Sequence, residues 1–320
     1  MKYSQFAAIK QQFGFDMSDL TAYTDQTSQD LIFASLFDGK TGDYMTKMTG
    51  VKYKKALNIA TNTLYLQNGA CGFTSTGGTA LTQRDLTVAD IMVNMSWCLK
   101  DFNDYWAQVL LNAGSYQDTL DPVEAIAADL VGQVKELNEV MYWRGNTALV
   151  NPNLNKFDGF IKIIDAASPV TGNTTSATSI TASNADTILN AMYAAAPDEI
   201  KMKPDLFYAV GIDTFTTILD SFYQNNSYAN SINTTEAMAT GTLIHPIYGV
   251  RIEAFAGLTG TNRIFLGRQS NFYIGTDLES DLESFRLWYS QDNRDTRFSA
   301  EYKAGVQIAF GGEIVQYTNA

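Results

Sequence analysis

Few residues in this sequence could carry acid–base or nucleophilic chemistry, and their surroundings decide how far each can be taken. The single histidine, His245, precedes Pro246 between Ile244 and Ile247, a setting that fits a packed or turn histidine better than a general base. Asp277, Glu279, Asp281 and Glu283 alternate along the chain, and oxygen ligands at that density could hold calcium or serve a hydrolase. The run lacks the glycine of a known calcium loop, however, and a solvated or salt-bridging edge is the plainer reading. Cys71 and Cys98 are the only cysteines, too few for a disulfide scaffold and without the companions of a zinc site, so two free thiols are expected. Gly39-Lys40-Thr41 resembles the end of a phosphate loop, but Ala34 stands where the first glycine is needed. No G-x-S-x-G, H-E-x-x-H or strand-borne G-x-G-x-x-G occurs. The expectation is no enzyme: no catalytic residue, no cofactor and no metal.

Composition points the same way. The 320 residues are 45% hydrophobic and 18% charged, an ordinary globular balance with ample length for a core. Lys plus Arg number 22 against 34 Asp plus Glu, a net charge of -12, the wrong sign for a chain that grips nucleic acid over a broad face. Met1-Lys2-Tyr3-Ser4-Gln5-Phe6 lacks the apolar stretch of a signal peptide and no window is long enough to span a bilayer, so folding in a cytoplasm is expected.

The elements that must position these residues follow from pattern. Residues 1–50 are polar and irregular, with one helical candidate at 28–37, and read as an arm whose few apolar residues must dock on something else. Alternating runs at 57–66 and 86–95 read as strands; between them 67–83 carries Gly69, Gly72, Gly77 and Gly78 and no charge, the flexible tip of a long hairpin. A helix with Phe102, Tyr105 and Trp106 in its core spans 100–112. The clearest signal follows: Asp121 as N-cap, Pro122 at the first helical position and Glu124 completing the cap, then Val123, Ile126, Ala127, Leu130, Val134, Leu137 and Met141 along one face, closed by Gly145. The Ser/Thr/Asn/Gly-rich stretch 171–183 is the best linker. Beyond it come a helix at 184–193, a buried strand at 205–210, a helix capped by Asp213, a polar loop at 223–241, and strands at 248–255, 263–267, 272–275, 306–310 and 314–317, an α+β alternation.

This order resembles the tailed-bacteriophage major capsid fold, shared with encapsulins. The resemblance is carried by Gln67-Asn68-Gly69-Ala70-Cys71-Gly72 through Leu86-Thr87-Val88, by Glu139-Val140-Met141-Tyr142-Trp143-Arg144-Gly145-Asn146, by Phe157-Asp158-Gly159-Phe160, by Asn271-Phe272-Tyr273-Ile274-Gly275-Thr276-Asp277 and by Trp288-Tyr289-Ser290-Gln291-Asp292-Asn293. It implies an N-terminal arm at 1–50, an extended β-hairpin loop at 51–97, a peripheral domain at 98–178 and 290–320 with a spine helix at 121–145, and an axial α/β domain at 179–289. It also implies a virion protein, assembled in a host cytoplasm, that forms hexamers and pentamers of itself around double-stranded DNA. Portal, scaffolding and decoration proteins are its expected partners, and no membrane is. Inter-subunit contacts are expected at the hairpin tip (Asn68, Gly69, Cys71, Phe73, Gly77, Gly78) and where Arg286, Arg294 and Arg297 could meet Asp277 and Asp281, because arginine is favoured at interfaces. Some relatives lock their shells through a lysine in this loop; residues 64–83 contain none, so no such bond is expected. An acidic wall would not trap DNA, which suits a container. A protein-cargo compartment of the same fold and a monomeric β-rich binding protein are the competing readings.

Overall fold

A computed structural model describes residues 39–69, 76–98, 122–172, 179–224, 234–277, 286–290, 292–293 and 295–318. The helices expected at 28–37 and 100–112, and Cys71, Phe73, Asp281 and Arg294, lie outside them.

After Gly39 come a short helix, α1 (Lys40–Tyr44), and a strand, β1 (Thr46–Met48). The hairpin is β2 (Lys54–Thr63) against β3 (Gly78–Thr87), antiparallel from Lys54 opposite Thr87 to Thr63 opposite Gly78. Its returning strand is thus the segment that glycine and threonine content assigns to a flexible tip. Outside its root β3 is exposed on both faces, so no apolar alternation marks it, while threonine suits a strand well. The run expected to return the hairpin instead lies mostly in β4 (Ala89–Cys98), which pairs with residues 295–304.

The capped pattern forms α2 (Pro122–Arg144), 23 residues and roughly 35 Å long. Leu130, Val134 and Met141 are buried on it, but Leu137 is 45% exposed while Asn138 and Glu139 are buried. Three hydrogen bonds draw those polar residues inward: Tyr302 donates to Asn138 Oδ1 at 2.7 Å, and Thr41 donates to Glu139 from its backbone and from its hydroxyl. Next come α3 (Phe160–Ala166), β5 (Val170–Thr171), α4 (Ala185–Ala195), α5 (Asp198–Lys201), β6 (Leu206–Val210) and α6 (Ile212–Gln224). Asp213 does not cap α6; it lies inside the first turn, and its carboxylate accepts the N–H of Gly260 at 3.0 Å. Residues 234–240, expected in a polar loop, form α7 (Thr234–Thr240), which buries Ala237. The remaining strands are β7 (Thr242–Ile244), β8 (Arg251–Ala254), β9 (Arg263–Arg268), β10 (Phe272–Gly275), β11 (Arg286–Ser290), β12 (Asp295–Ile308) and β13 (Val315–Thr318).

Two sheets organise these strands. One is six-stranded, in the order β5-β13-β9-β6-β8-β7; in the other, β1-β10-β12-β11 form the path and β4 also pairs with β12. All five residues of β6 are buried because the six-stranded sheet is covered on both faces. Phe207, Ala209 and Phe265 face a core shared with α2, α3 and β12, whereas Leu206, Tyr208, Val210, Ile264 and Leu266 face α4 and α6. Trp143 sits at the centre of the first core with no exposed surface, its ring 5.2 Å from those of Phe160 and Phe255, 6.0 Å from Phe265 and 6.3 Å from Phe272. The sequence texts around 143, 160 and 272 therefore converge on one aromatic cluster. Gly145 and Gly159 let their backbones touch there: Gly159 donates to the Gly145 carbonyl at 2.8 Å, and a Cβ on Gly159 would lie 2.7 Å from the Trp143 carbonyl oxygen.

Candidate functional site

The hairpin β2–β3 has two ends with opposite character. Opposed residues share a face, so Lys55, Leu57, Ile59 and their partners Leu86, Arg84 and Thr82 form one side of the ribbon. At the root Leu57 and Ile59 are each 8% exposed and Leu86 is fully buried. The root sits in a notch made by two glycines opposite each other on β10 and β12, Gly275 and Gly305. A Cβ on Gly275 would lie 2.7 Å from Leu86 Cδ2, and one on Gly305 only 2.1 Å from the Thr87 carbonyl oxygen. Gln307 donates to the Asp85 carbonyl at 2.7 Å, and Lys54 pairs with the Asp85 carboxylate at 2.6 Å, a contact that holds that carboxyl below its usual range.

Beyond the root the ribbon is solvent-exposed. Leu64, Tyr65 and Leu66 follow β2 with 87, 65 and 105% of their surfaces exposed, and Leu81 on β3 is exposed as well. Ten residue pairs give a ribbon of about 34 Å, and residues 61–83 carry no charge. Asn68, Gly69, Gly77 and Gly78 lie at this outer end and are exposed; Gly77 is required there, because a Cβ would lie 2.7 Å from the Thr63 carbonyl oxygen. Tip glycines announce themselves in the sequence, whereas the apolar triplet 64–66 reads there as a continuing strand.

Among the described residues, the expected arginine and acid positions Asp277 and Arg297 each pair with another residue. Asp277 is buried, and its carboxylate meets Lys303 at 3.1 Å, so this member of the acidic run is no part of a solvated face. Lys303 lies 26 residues away on β12, beyond the reach of any local pattern. Arg297 pairs with Asp295 on its own strand at 3.3 Å, opposite the half-exposed Trp288. Arg286 opens β11 opposite Ser299.

Segment 39–44 is pinned rather than catalytic. Lys40 reaches the nearly buried Glu253 at 2.9 Å and the Gly241 carbonyl at 2.6 Å, while the Trp143 indole donates to Thr41 Oγ1 at 2.8 Å. Burial pushes the Glu139 carboxyl above its ordinary range, against the hydrogen bonds from Thr41 that favour its ionised form. His245 is buried among the rings of Tyr208, Phe222 and Tyr248. Its Nδ1 accepts the Ile247 N–H at 3.3 Å, leaving Nε2 to carry the proton and to face Asp186 Oδ1 at 3.7 Å. Burial lowers its pKa to about 4, only partly opposed by Asp186, so at neutral pH it is an uncharged core residue. Among the described residues no cluster of His, Cys, Asp or Glu could hold a metal ion, and no helix is long and apolar enough to cross a membrane.

No family model and no curated protein matches the sequence. Solved structures do. A chain of the procapsid of satellite phage P4, solved with its size determination protein, superposes with a TM-score of 0.59 at 12% identity, covering 92% of this chain and all of that one. The capsid asymmetric unit of cyanophage A-1(L) gives 0.58 at 11% identity, over 91% and 93% of the two chains. The capsid of the myovirus XM1 gives 0.54 at 11% identity, over 87% and 90%. At such identities the likeness is one of fold: the chain has the phage capsid fold over about nine-tenths of its length and not merely as a shared fragment.

Proposed function

We propose that this chain, built on the phage capsid fold, is the major capsid protein of a tailed bacteriophage, with a structural and not a catalytic role. Hexamers and pentamers of it would close into an icosahedral head around a double-stranded DNA genome. The observation that carries the reading is the hairpin. A two-stranded ribbon is marginal in water by itself, yet this one is firmly seated at its root while Leu64, Tyr65 and Leu66 project uncovered. Apolar surface presented on a projecting arm is stabilised when a neighbour covers it, and flexible contacts of this kind let one sequence serve rings of five and of six. The -12 balance supports a lining that repels rather than traps DNA. Portal, scaffolding and decoration proteins are the partners this role requires, the virion is its site of action, and the host cytoplasm is where assembly would occur.

Negative-stain microscopy with light scattering, on the chain expressed alone and together with its neighbouring genes, tests this. Closed shells or rings of five and six subunits are expected. A persistent monomer in both preparations would overturn the reading in favour of a binding protein. Shells filled with a protein cargo in place of nucleic acid would transfer it to a compartment of encapsulin type.

A further inference from the structure

The end of α2 opens on a cleft of about 340 Å³ lined by Arg144, Asn146, Leu149, Lys162, Asp165 and Arg263, among others. That volume falls in the range of small-ligand sites. Its cations are unequally matched. Arg263 binds both oxygens of Asp165 at 2.8 Å, and Lys162 meets Asp158 at 2.8 Å and Asn146 at 2.9 Å. Arg144 is exposed and makes no ion pair among the described residues. The site therefore has one positive charge to spare on a molecule of net charge -12, and two carboxylates already stand in or beside its wall. A dianionic phosphate would meet both of them; a single carboxylate would match the one spare guanidinium, whose planar fork suits it. Beside the cleft Leu149 is 41% and Val150 96% exposed, so a ligand that joins a carboxylate to apolar side chains would match this surface.

One stretch of this sequence has that character. Residues 11–38 contain five aspartates (Asp16, Asp19, Asp25, Asp30 and Asp38), no lysine, arginine or glutamate, and Phe13, Phe15, Tyr23, Phe33 and Phe37 among them. They lead directly to Gly39, where a Cβ would lie 2.8 Å from Glu139 Oε2 of the same helix that ends at Arg144. Glu139 and Arg144 are five residues apart, about 8 Å along the helix axis, a separation well within the reach of a segment of 28 residues. We propose that the cleft at Arg144 is the docking site for the acidic, aromatic segment 11–38, with one of its aspartates on the Arg144 guanidinium and its rings over Leu149 and Val150.

The test is limited chymotrypsin digestion of the full-length chain, dilute enough to be unassembled, reading cleavage within residues 13–37 by mass. Arg144→Glu is expected to speed cleavage there about tenfold, with the digestion of the rest of the chain unchanged. Adding Asp16→Lys, Asp19→Lys, Asp25→Lys and Asp30→Lys to Arg144→Glu should restore slow cleavage. A segment cut as fast in the parent chain as in Arg144→Glu would overturn the proposal, as would failure of the charge swap to restore protection. The digestion needs no shell, so protection in a chain that never assembles would sink the capsid reading and leave the docking site standing.

Discussion

At the residue scale, the few ionisable groups inside this molecule are structural, and their titration has a sign. His245 has a folded pKa of about 4 against an unfolded value near 6.5. Between those values the unfolded chain binds a proton that the folded chain refuses. Stability therefore falls as pH drops from about 6.5 toward 4, by at most about 3 kcal/mol, and the loss is complete below that window. Urea midpoints at pH 5 and pH 7.5 should be closer together in His245→Gln than in the parent; an unchanged gap would disprove this role. Glu139 works in the opposite sense, since a carboxyl raised by burial loses stabilisation as pH rises through its folded value. Glu139→Ala leaves the Thr41 donors buried without an acceptor and should cost about 2–4 kcal/mol, read as a lower Tm; Glu139→Gln should cost far less. The packed state of His245 was legible from Ile244, Pro246 and Ile247. The burial of Asp277 was not, because Lys303 is distant in sequence and only the sheet brings it near.

At the element scale, the long helix was legible from its start at Pro122 and its period, while the hairpin was legible only on its outgoing side. Beyond its root, strand β3 carries no apolar alternation because no described residue of its own subunit covers it there; the pattern that reveals a strand is the imprint of a core, and this stretch has none. The notch of Gly275 and Gly305 is likewise silent in sequence, since a glycine gives no hint of what fills the space beside it. Gly305→Ala places a Cβ against the Thr87 backbone, where no side chain can yield. It should destabilise by about 2 kcal/mol or more and speed proteolysis between 54 and 87, and normal hairpin resistance in this variant would show the notch to be unimportant. Leu86→Ala, which empties the notch, should cost about 2–5 kcal/mol.

At the scale of the whole molecule, folding and assembly should separate. Tyr65→Asp with Leu66→Asp alters side chains that touch solvent in the isolated subunit, so Tm should move by less than the several degrees that ~1 kcal/mol would give, while shells should fail to form. Loss of the fold along with the shells would place these residues in the subunit core instead. Because residues 64–83 lack lysine, shells boiled in detergent and reductant should run as a single monomer band; a ladder would reveal a covalent lock of another kind. The order of hairpin, helix and mixed sheet was readable because strands and helices leave different periods in the chain. Which surfaces meet another subunit was not, because a contact surface in a separate chain imposes no period of its own.

Strand β12 also sets a clock. It joins β4 through ten residue pairs and β10 through four, and β10 in turn carries β1, so strands near residues 46–48 and 89–98 stay without partners until residues 272–308 exist. At ordinary rates of translation, the ~200 residues between β4 and β12 take about 10–40 s to make. Through that interval the hairpin has no notch to sit in, and a partly synthesised chain cannot offer its tip at a fixed angle. Under the capsid reading, synthesis itself would thus withhold each subunit from its neighbours until it is nearly whole.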